Sequence, residues 1–323
     1  MRILVLGGSG FVGRAVATEA IAHGHDVTVF NRGLRDPVAG ARLLVGDRTT
    51  AGGLAALPGG SWDAVVDTWS ANADVVAAAA EVLAGHAAHY TYISSRSVHP
   101  IDETGPAAAL DETAPLVALD DPGYAGDKLR GEAAAERFAG PVLFARAGLI
   151  LGPHEDIGRL PWWLRRLERG GPTLAPGPRD LPLQYVDARD LAIFVLTAAE
   201  AGLTGPYNVV SAPGHTTMGE LLDTANAVTG GHADLRWTDP QTILDAGIAP
   251  WTQLPIWLPP GNLHRFLHQG DVSRALAAGL HCRPIQDTIT DTWTWLSSLP
   301  GDAPHRPDRP ALGLDPAVEQ KLL

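Results

Sequence analysis

Ile3-Leu-Val-Leu-Gly-Gly-Ser-Gly-Phe-Val-Gly13 decides how this chain folds. Four apolar residues predict a short buried strand, and the glycines after them force a tight turn. From Phe11 to Ala22 the apolar residues recur at helical spacing. The glycines satisfy two registers, Gly8-x-Gly10-x-x-Gly13 and Gly7-x-x-Gly10-x-x-Gly13. Either one sets bare backbone where a pyrophosphate can meet a helix amino terminus and the positive end of its dipole. A second strand, residues 26–30, follows at the distance a dinucleotide-binding unit needs. The cradle expected for the phosphates is Gly7, Ser9, Gly10, Phe11, Val12 and Gly13.

The end of that second strand selects the cofactor. An acidic residue there would accept from the adenosine ribose hydroxyls, but the chain reads Asn31-Arg32-Gly33-Leu34-Arg35. Asn31, Arg32 and Arg35 suit a 2′-phosphate, because a guanidinium offers a planar fork of donors, so NADP is expected over NAD. The competing reading makes both arginines solvated loop charges. A third strand, 42–46, runs into Asp47-Arg48, and a fourth, 62–67, ends in Asp67-Thr68-Trp69-Ser70. Ligands of open parallel sheets lie beyond the carboxyl ends of strands. Asp47 and Arg48 are therefore expected at the adenine side, Asp67 and Thr68 at the nicotinamide side and Trp69 at the substrate, with turn capping as an equal alternative for the two aspartates.

The fifth strand, 89–93, stops at Ser94-Ser95-Arg96-Ser97-Val98-His99-Pro100, and a long loop follows to about Pro122. Tyr124-Ala-Gly-Asp-Lys128 then opens a helix running through Phe138. Residues four apart share a helix face. A tyrosine titrates near ~10, and a neighbouring ammonium favours its phenolate, so the pair can move a proton.

Taken together these stretches resemble the short-chain dehydrogenase/reductase superfamily, in particular its extended, NAD(P)-dependent epimerase/dehydratase-like branch. The matching motifs are Gly7-x-x-Gly10-x-x-Gly13, Ile93-Ser94-Ser95-x-x-Val98, and Tyr124-x-x-x-Lys128 with Glu132. Arg146 to Pro153, Gln184 to Ala192 and Gly205 to Val209 resemble later family segments, so the likeness covers about residues 1–298. It implies that Ser95 holds the substrate oxygen, that Tyr124 is the general acid or base, and that Lys128 holds the nicotinamide ribose and depresses the tyrosine. Ser94 and Ser97 are then structural. Three positions depart from the family pattern. His99 stands where tyrosine is usual, and is a candidate substrate contact that titrates near neutrality. Leu149 replaces the asparagine that sugar-nucleotide enzymes offer the diphosphate. Asn31-Arg32-Gly33 replaces the acidic ending of NAD-binding members.

The expected architecture is α/β: a Rossmann-type doubly wound parallel sheet with a smaller mixed α/β C-terminal substrate lobe. Residues 1–152 and 184–212 would form the dinucleotide-binding domain, 153–183 and 213–299 the lobe, and 300–323 a proline-rich tail that drapes or is disordered. The lobe's helix at 159–169 carries Trp162 and Arg165, an aromatic wall and a cation for a small-molecule substrate; Trp251 and Trp257 add indole, with core filling as the rival reading. His154-Glu155-Asp156 could suggest a metal, but three consecutive residues rarely converge on one ion, and no metal is expected.

The chain has 323 residues, 45% hydrophobic and 19% charged, as a globular domain requires. Its formal net charge of -12 opposes a nucleic-acid surface. No apolar run reaches the ~18 residues of a membrane span, and a cytoplasmic location is expected, with a homodimer as an option the family offers. Cys282 is alone and reads as a structural thiol. The function expected is NADP(H)-dependent carbonyl reduction or alcohol oxidation through Ser95, Tyr124 and Lys128. One rival is an NAD-dependent epimerase or dehydratase that returns the hydride to its own substrate. The other is a non-enzymatic cofactor-sensing or RNA-associated protein.

Overall fold

A computed structural model describes residues 1–101 and 110–323; the middle of the long loop after the fifth strand, 102–109, lies outside the described residues. The first half runs β1 (Arg2–Leu6), α1 (Phe11–Ala22), β2 (Asp26–Asn31), β3 (Arg42–Val45), β4 (Ala64–Asp67) and α2 (Ala73–Leu83). It continues with β5 (Tyr90–Ser95), α3 (Tyr124–Ala135) and β6 (Val142–Ala147). Next come β7 (Ile150–Leu151), α4 (Arg159–Glu168), β8 (Gly171–Pro176), β9 (Pro182–Leu183), β10 (Val186–Asp187), α5 (Ala188–Glu200) and β11 (Gly205–Val209). After these follow β12 (Thr216–Thr217), α6 (Met218–Val228), β13 (Ala233–Thr238), α7 (Pro240–Asp245), α8 (Asn262–His268), α9 (Ser273–Ala277), α10 (Ile285–Ser298) and α11 (Pro316–Glu319).

Seven parallel strands form the central sheet in the order β11-β6-β5-β4-β1-β2-β3. Side chains of β1 alternate between two cores, as the two-residue strand period demands. Ile3 and Val5 join Val16 and Ala20 of α1 and Leu191 and Val195 of α5. Leu4 and Leu6 join Val76 and Ala80 of α2 and Ala135 of α3 on the opposite face. The doubly wound Rossmann arrangement is therefore built by one strand whose four central residues are all fully buried. Register aligns Leu6 with Phe30 and Asp67, Asp67 with Tyr92, and Ser95 with Ala147, so the strand ends named in the sequence lie along one edge.

A third core, around Trp163, Leu164, Leu174, Leu222, Trp257 and Ile289, joins elements outside the central sheet. Its α6 starts in a capping box between Thr217 and Glu220. β8 pairs in parallel with β13. The helices α8 and α9 follow, and Ala275 and Leu280 pack into the sheet's core. The 300–323 tail is seated: Leu314 is buried in the third core and Glu319 forms a buried ion pair with Arg166 at 2.8 Å. Among the described residues no helix is long and apolar enough to cross a membrane.

The tightest backbone approach is at the first turn. A Cβ on Gly13 would lie 2.9 Å from Gly8 Cα and 3.0 Å from the Gly7 carbonyl oxygen. Both obstacles are main chain and cannot swing aside. Gly13→Ala is expected to cost about 1–3 kcal/mol in urea denaturation, the usual range for overpacking, and to weaken dinucleotide binding; unchanged stability would refute the contact.

Candidate active site

The glycine turn has the shape an anion cradle needs. Gly7 sits at φ +98, where an added Cβ would come 2.6 Å from Thr68 Oγ1. Gly10 is the N-cap of α1 with no side-chain cap, so the first-turn amides are left for a ligand. The Arg35 guanidinium passes over this turn, 3.4 Å from the Cβ position of Gly10, and pairs with Asp156 at 3.1 Å. Asn31 ties the turn to β2: its Nδ2 donates to Ser9 Oγ at 3.2 Å and its Oδ1 accepts from Gly33 N at 2.7 Å. A small cavity of about 100 Å³ lies beside it, lined by Val29, Asn31, Gly33, Arg35, Pro37 and Val38 among others. Arg32 is exposed and makes no ion pair or hydrogen bond among the described residues. Asp47 accepts from the amide and hydroxyl of Thr49, which hold its carboxyl below the usual range; it caps its own turn.

Two residues expected at the cofactor are engaged with each other. Arg48 Nη1 and Nη2 each donate to an oxygen of Asp67 at 2.7 Å, both side chains being buried. Tyr90 OH and Trp69 N donate to the same carboxylate at 2.6 and 2.9 Å, which fills both oxygens. Arg48 also reaches the Val75 carbonyl, so this buried pair fastens the loop after β3 to α2. Arg48 and Asp67, both expected at the ligand, thus spend their polar atoms on each other and on neighbouring chain. Thr68 donates through Oγ1 to the Leu6 carbonyl at 3.0 Å and lies directly under Gly7.

The strand end of β5 and the first turn of α3 meet, since α3 packs on β5 and on the short turn after it. Lys128 is 3% exposed and donates to the Ile93 carbonyl at 2.7 Å and the Trp69 carbonyl at 3.1 Å, with its Nζ 4.8 Å from the Tyr92 ring centroid. It thereby bolts the helix to the ends of two strands. Burial pushes the Lys128 ammonium down to about 7, and the positive charges of Arg309 and Arg306 push the same way. Ser95 is almost buried; its Oγ donates to Ser97 Oγ and accepts from Ser97 N, each at 3.1 Å. Behind it, Ser94 donates to Glu132 at 2.6 Å, and Glu132 receives Arg146 through both oxygens at 2.9 and 2.8 Å. Tyr124, one turn before Lys128, is 41% exposed.

Sequence reasoning missed what lies over that tyrosine. The Arg309 Cζ is 5.2 Å from the Tyr124 ring centroid. Arg306 donates from its amide to the Asp156 carbonyl at 2.9 Å and reaches Ser70 Oγ at 3.5 Å. Nothing in a proline-rich tail signals this. The four residues expected at the substrate make contacts within the chain. His99 is 1% exposed; its Nδ1 donates to the Pro115 carbonyl at 2.9 Å and its Nε2 faces Arg146, and burial lowers its pKa. Arg165 braces the carbonyls of Leu296 and Gly301 and stands over Trp293. Trp162 packs against Gly313 and Trp163. Trp69 turns its indole N–H to the Asn72 carbonyl and stacks under Arg48. Glu155 accepts the amides of Arg159 and Leu160, beginning α4, while His154 lies against Trp295, so that triplet diverges.

A glycine-cradled helix terminus and a buried lysine on the strand-facing side of a helix, in a seven-stranded parallel sheet, define an extended short-chain Rossmann protein. The family model for the NAD dependent epimerase/dehydratase family matches residues 3–210, and the chain belongs to that family. A UDP-glucose 4-epimerase of Corynebacterium glutamicum is 49% identical over 51 residues, which is 15% of this chain and 16% of that protein. Among solved structures, the UDP-glucose 4-epimerase of Thermus thermophilus with NAD is similar at TM-score 0.65 and 20% identity, over 92% of this chain and 99% of that one. The UDP-N-acetylglucosamine 4-epimerase of Bacillus cereus gives 0.67 and 17%, over 91% and 98%. A human epimerase family protein with NADPH gives 0.60 and 22%, over 91% and 99%. At these identities the structural likeness is one of fold.

The lysine carries a test. Its folded pKa lies below the ordinary 10.5, so the unfolded chain binds the extra proton between about 7 and 10.5 and stability rises with pH across that window. An anionic dinucleotide favours the ammonium, so binding at pH 7 to 8 is expected to take up a fraction of a proton. Calorimetry in buffers of different ionisation enthalpy measures this; the uptake should vanish in Lys128→Met, and proton release by the wild type would contradict it.

Proposed function

We propose that this protein is a nicotinamide-dependent epimerase-type enzyme that withdraws hydride from a hydroxyl-bearing carbon of a small molecule and returns it to the same molecule. The observation that carries the reading is an exposed Tyr124 one turn before the buried Lys128, in a chain of the epimerase/dehydratase family. The relatives named as epimerases favour this over net carbonyl reduction, and also over elimination of water, because Arg96 and Ser97 supply no carboxylate beside Ser95.

Gly7, Ser9, Gly10, Phe11, Val12 and Gly13 would hold the dinucleotide phosphates, with Arg35 alongside, and Lys128 the nicotinamide end. The cofactor accepts and gives back the hydride when bound. The chain does the rest. Ser95 turns its hydroxyl proton from Ser97 toward the reacting oxygen. Tyr124 removes the hydroxyl proton as the carbonyl forms and restores it when the alcohol is remade. Lys128, held rigidly by two carbonyls, would fix the nicotinamide ribose beside them. Leu149, buried in the third core, offers no amide to a nucleotide diphosphate, so a substrate other than a nucleotide sugar is favoured.

Two experiments test this. Tyr124→Phe is expected to lower turnover by 10²-fold or more, the scale of a lost general acid, while the folded chain still binds dinucleotide. Substrate labelled with deuterium at the reacting carbon should retain the label through many turnovers with no accumulation of reduced cofactor; steady NAD(P)H production or consumption would overturn the epimerase reading in favour of a net oxidoreductase. For the cofactor, the unpaired Arg32 and the absence of a carboxylate at Asn31 support NADP. Arg32→Ala is expected to weaken NADPH binding about tenfold or more and leave NADH nearly unchanged, as lost phosphate hydrogen bonds to a charged group imply.

A further inference from the structure

Several cations gather around Tyr124, and two of them keep a polar atom without a partner. Arg309 stands over the Tyr124 ring, and its Nε is buried without a hydrogen bond; the nearest carboxylate, Asp308, is 3.8 Å away and is already paired with Arg306 at 2.6 Å. Arg159, at the first position of α4, has a buried, unpartnered Nε and makes no ion pair or side-chain hydrogen bond among the described residues. Its guanidinium lies over the Trp251 ring at 5.1 Å and feels Glu155 first, then Tyr124 and Arg309. Arg306 and Lys128 add two further cations at the same place. The remaining carboxylates nearby are committed: Asp156 holds Arg35, and Glu155 caps α4 with burial pushing it up to about 7.

Like charges gathered at low dielectric repel, and an unpaired buried guanidinium costs free energy unless something outside the chain satisfies it. A guanidinium is also the fork that matches two oxygens of one anion. Trp251 is held at φ +66, a left-handed conformation that a tryptophan adopts only under constraint, and it lines a cleft of about 440 Å³ with Pro250, Leu258, Pro259 and Leu263. The cation cluster therefore adjoins an apolar cleft.

We propose that Arg159, Arg306 and Arg309 form an oxyanion-binding subsite beside Tyr124, two of its three cations supplied by the C-terminal tail, and that its occupant is a carboxylate or phosphoryl group carried by the substrate close to the reacting carbon. The assignment rests on Tyr124 marking the reacting end. Oxyanions of the same chemistry occur in the cofactor, whose pyrophosphate belongs over Gly10, where Arg35 already stands. The tail arginines stand beside Tyr124 instead; Asp308 pairs with Arg306 through both of its oxygens, and the buried Arg309 Nε keeps no hydrogen-bond partner.

The test is calorimetric titration of the full chain with inorganic phosphate and with oxalate, alone and with NADPH or NADH saturating. Wild-type protein is expected to bind at least one anion in both settings. Arg309→Gln and Arg159→Gln should each weaken it tenfold or more, with Arg309→Lys intermediate. Thermal melting of each variant checks folding, and Arg309, on an exposed segment, is the variant expected to fold normally. Tyr124→Phe should leave anion binding intact while abolishing hydride transfer, so a failed hydride test and a failed anion test are separable. No anion binding, or binding indifferent to both glutamine variants, overturns the subsite. Binding that disappears when dinucleotide saturates overturns the substrate assignment and gives these arginines to the cofactor's phosphates.

Discussion

The whole strand-end edge depends on a contact between bare backbones, Gly13 of α1 against Gly7 and Gly8. It brings the helix terminus within a van der Waals diameter of the strand end, which is what allows uncapped amides to face an anion at the sheet edge. Any side chain there would lift the helix, and with it the α1 and α5 layer that buries Ile3 and Val5. The second constraint follows from the first. With the sheet edge fixed, Lys128 can be bolted to the carbonyls of Ile93 and Trp69, and Tyr124 is placed by helix geometry alone.

Buried charge pairs do the bracing around this edge without facing the ligand. Arg48 with Asp67 stiffens the end of β4, and Arg146 with Glu132 and Ser94 stiffens the end of β5. Removing one partner of such a pair typically costs about 3–5 kcal/mol, because the other charge is left stranded. Their value here is geometric: Ser95 ends a braced strand, and Tyr124 opens the helix packed against it.

The sequence made the parts visible where residue type alone decides the outcome. A glycine that must be a glycine, a tyrosine and lysine one helical turn apart, and an apolar run buried on both faces are such cases. It hid the parts decided by distant partners. Asp67 and Arg48 looked like ligand contacts because nothing local says that they face each other across 19 positions. His99 looked titratable, and burial against Arg146 removed that role. The prolines and glycine of β8 mask a strand whose partner, β13, comes some sixty residues later. The arginines over Tyr124 sit in a tail whose composition argues for disorder, and only Leu314 and Glu319, anchoring it beyond them, bring them back.

That anchorage has a thermodynamic consequence. Residues 301–313 run between α10 and the buried Leu314 and Glu319 as a loop pinned at both ends, so Arg306 and Arg309 never have to be gathered from a free chain. Their effective concentration at Tyr124 is set by the tether, in the millimolar range or above that short linkers give. The ordering entropy of the two side chains' backbone is spent once, on folding. What remains of their interaction energy is available to whatever binds beside Tyr124.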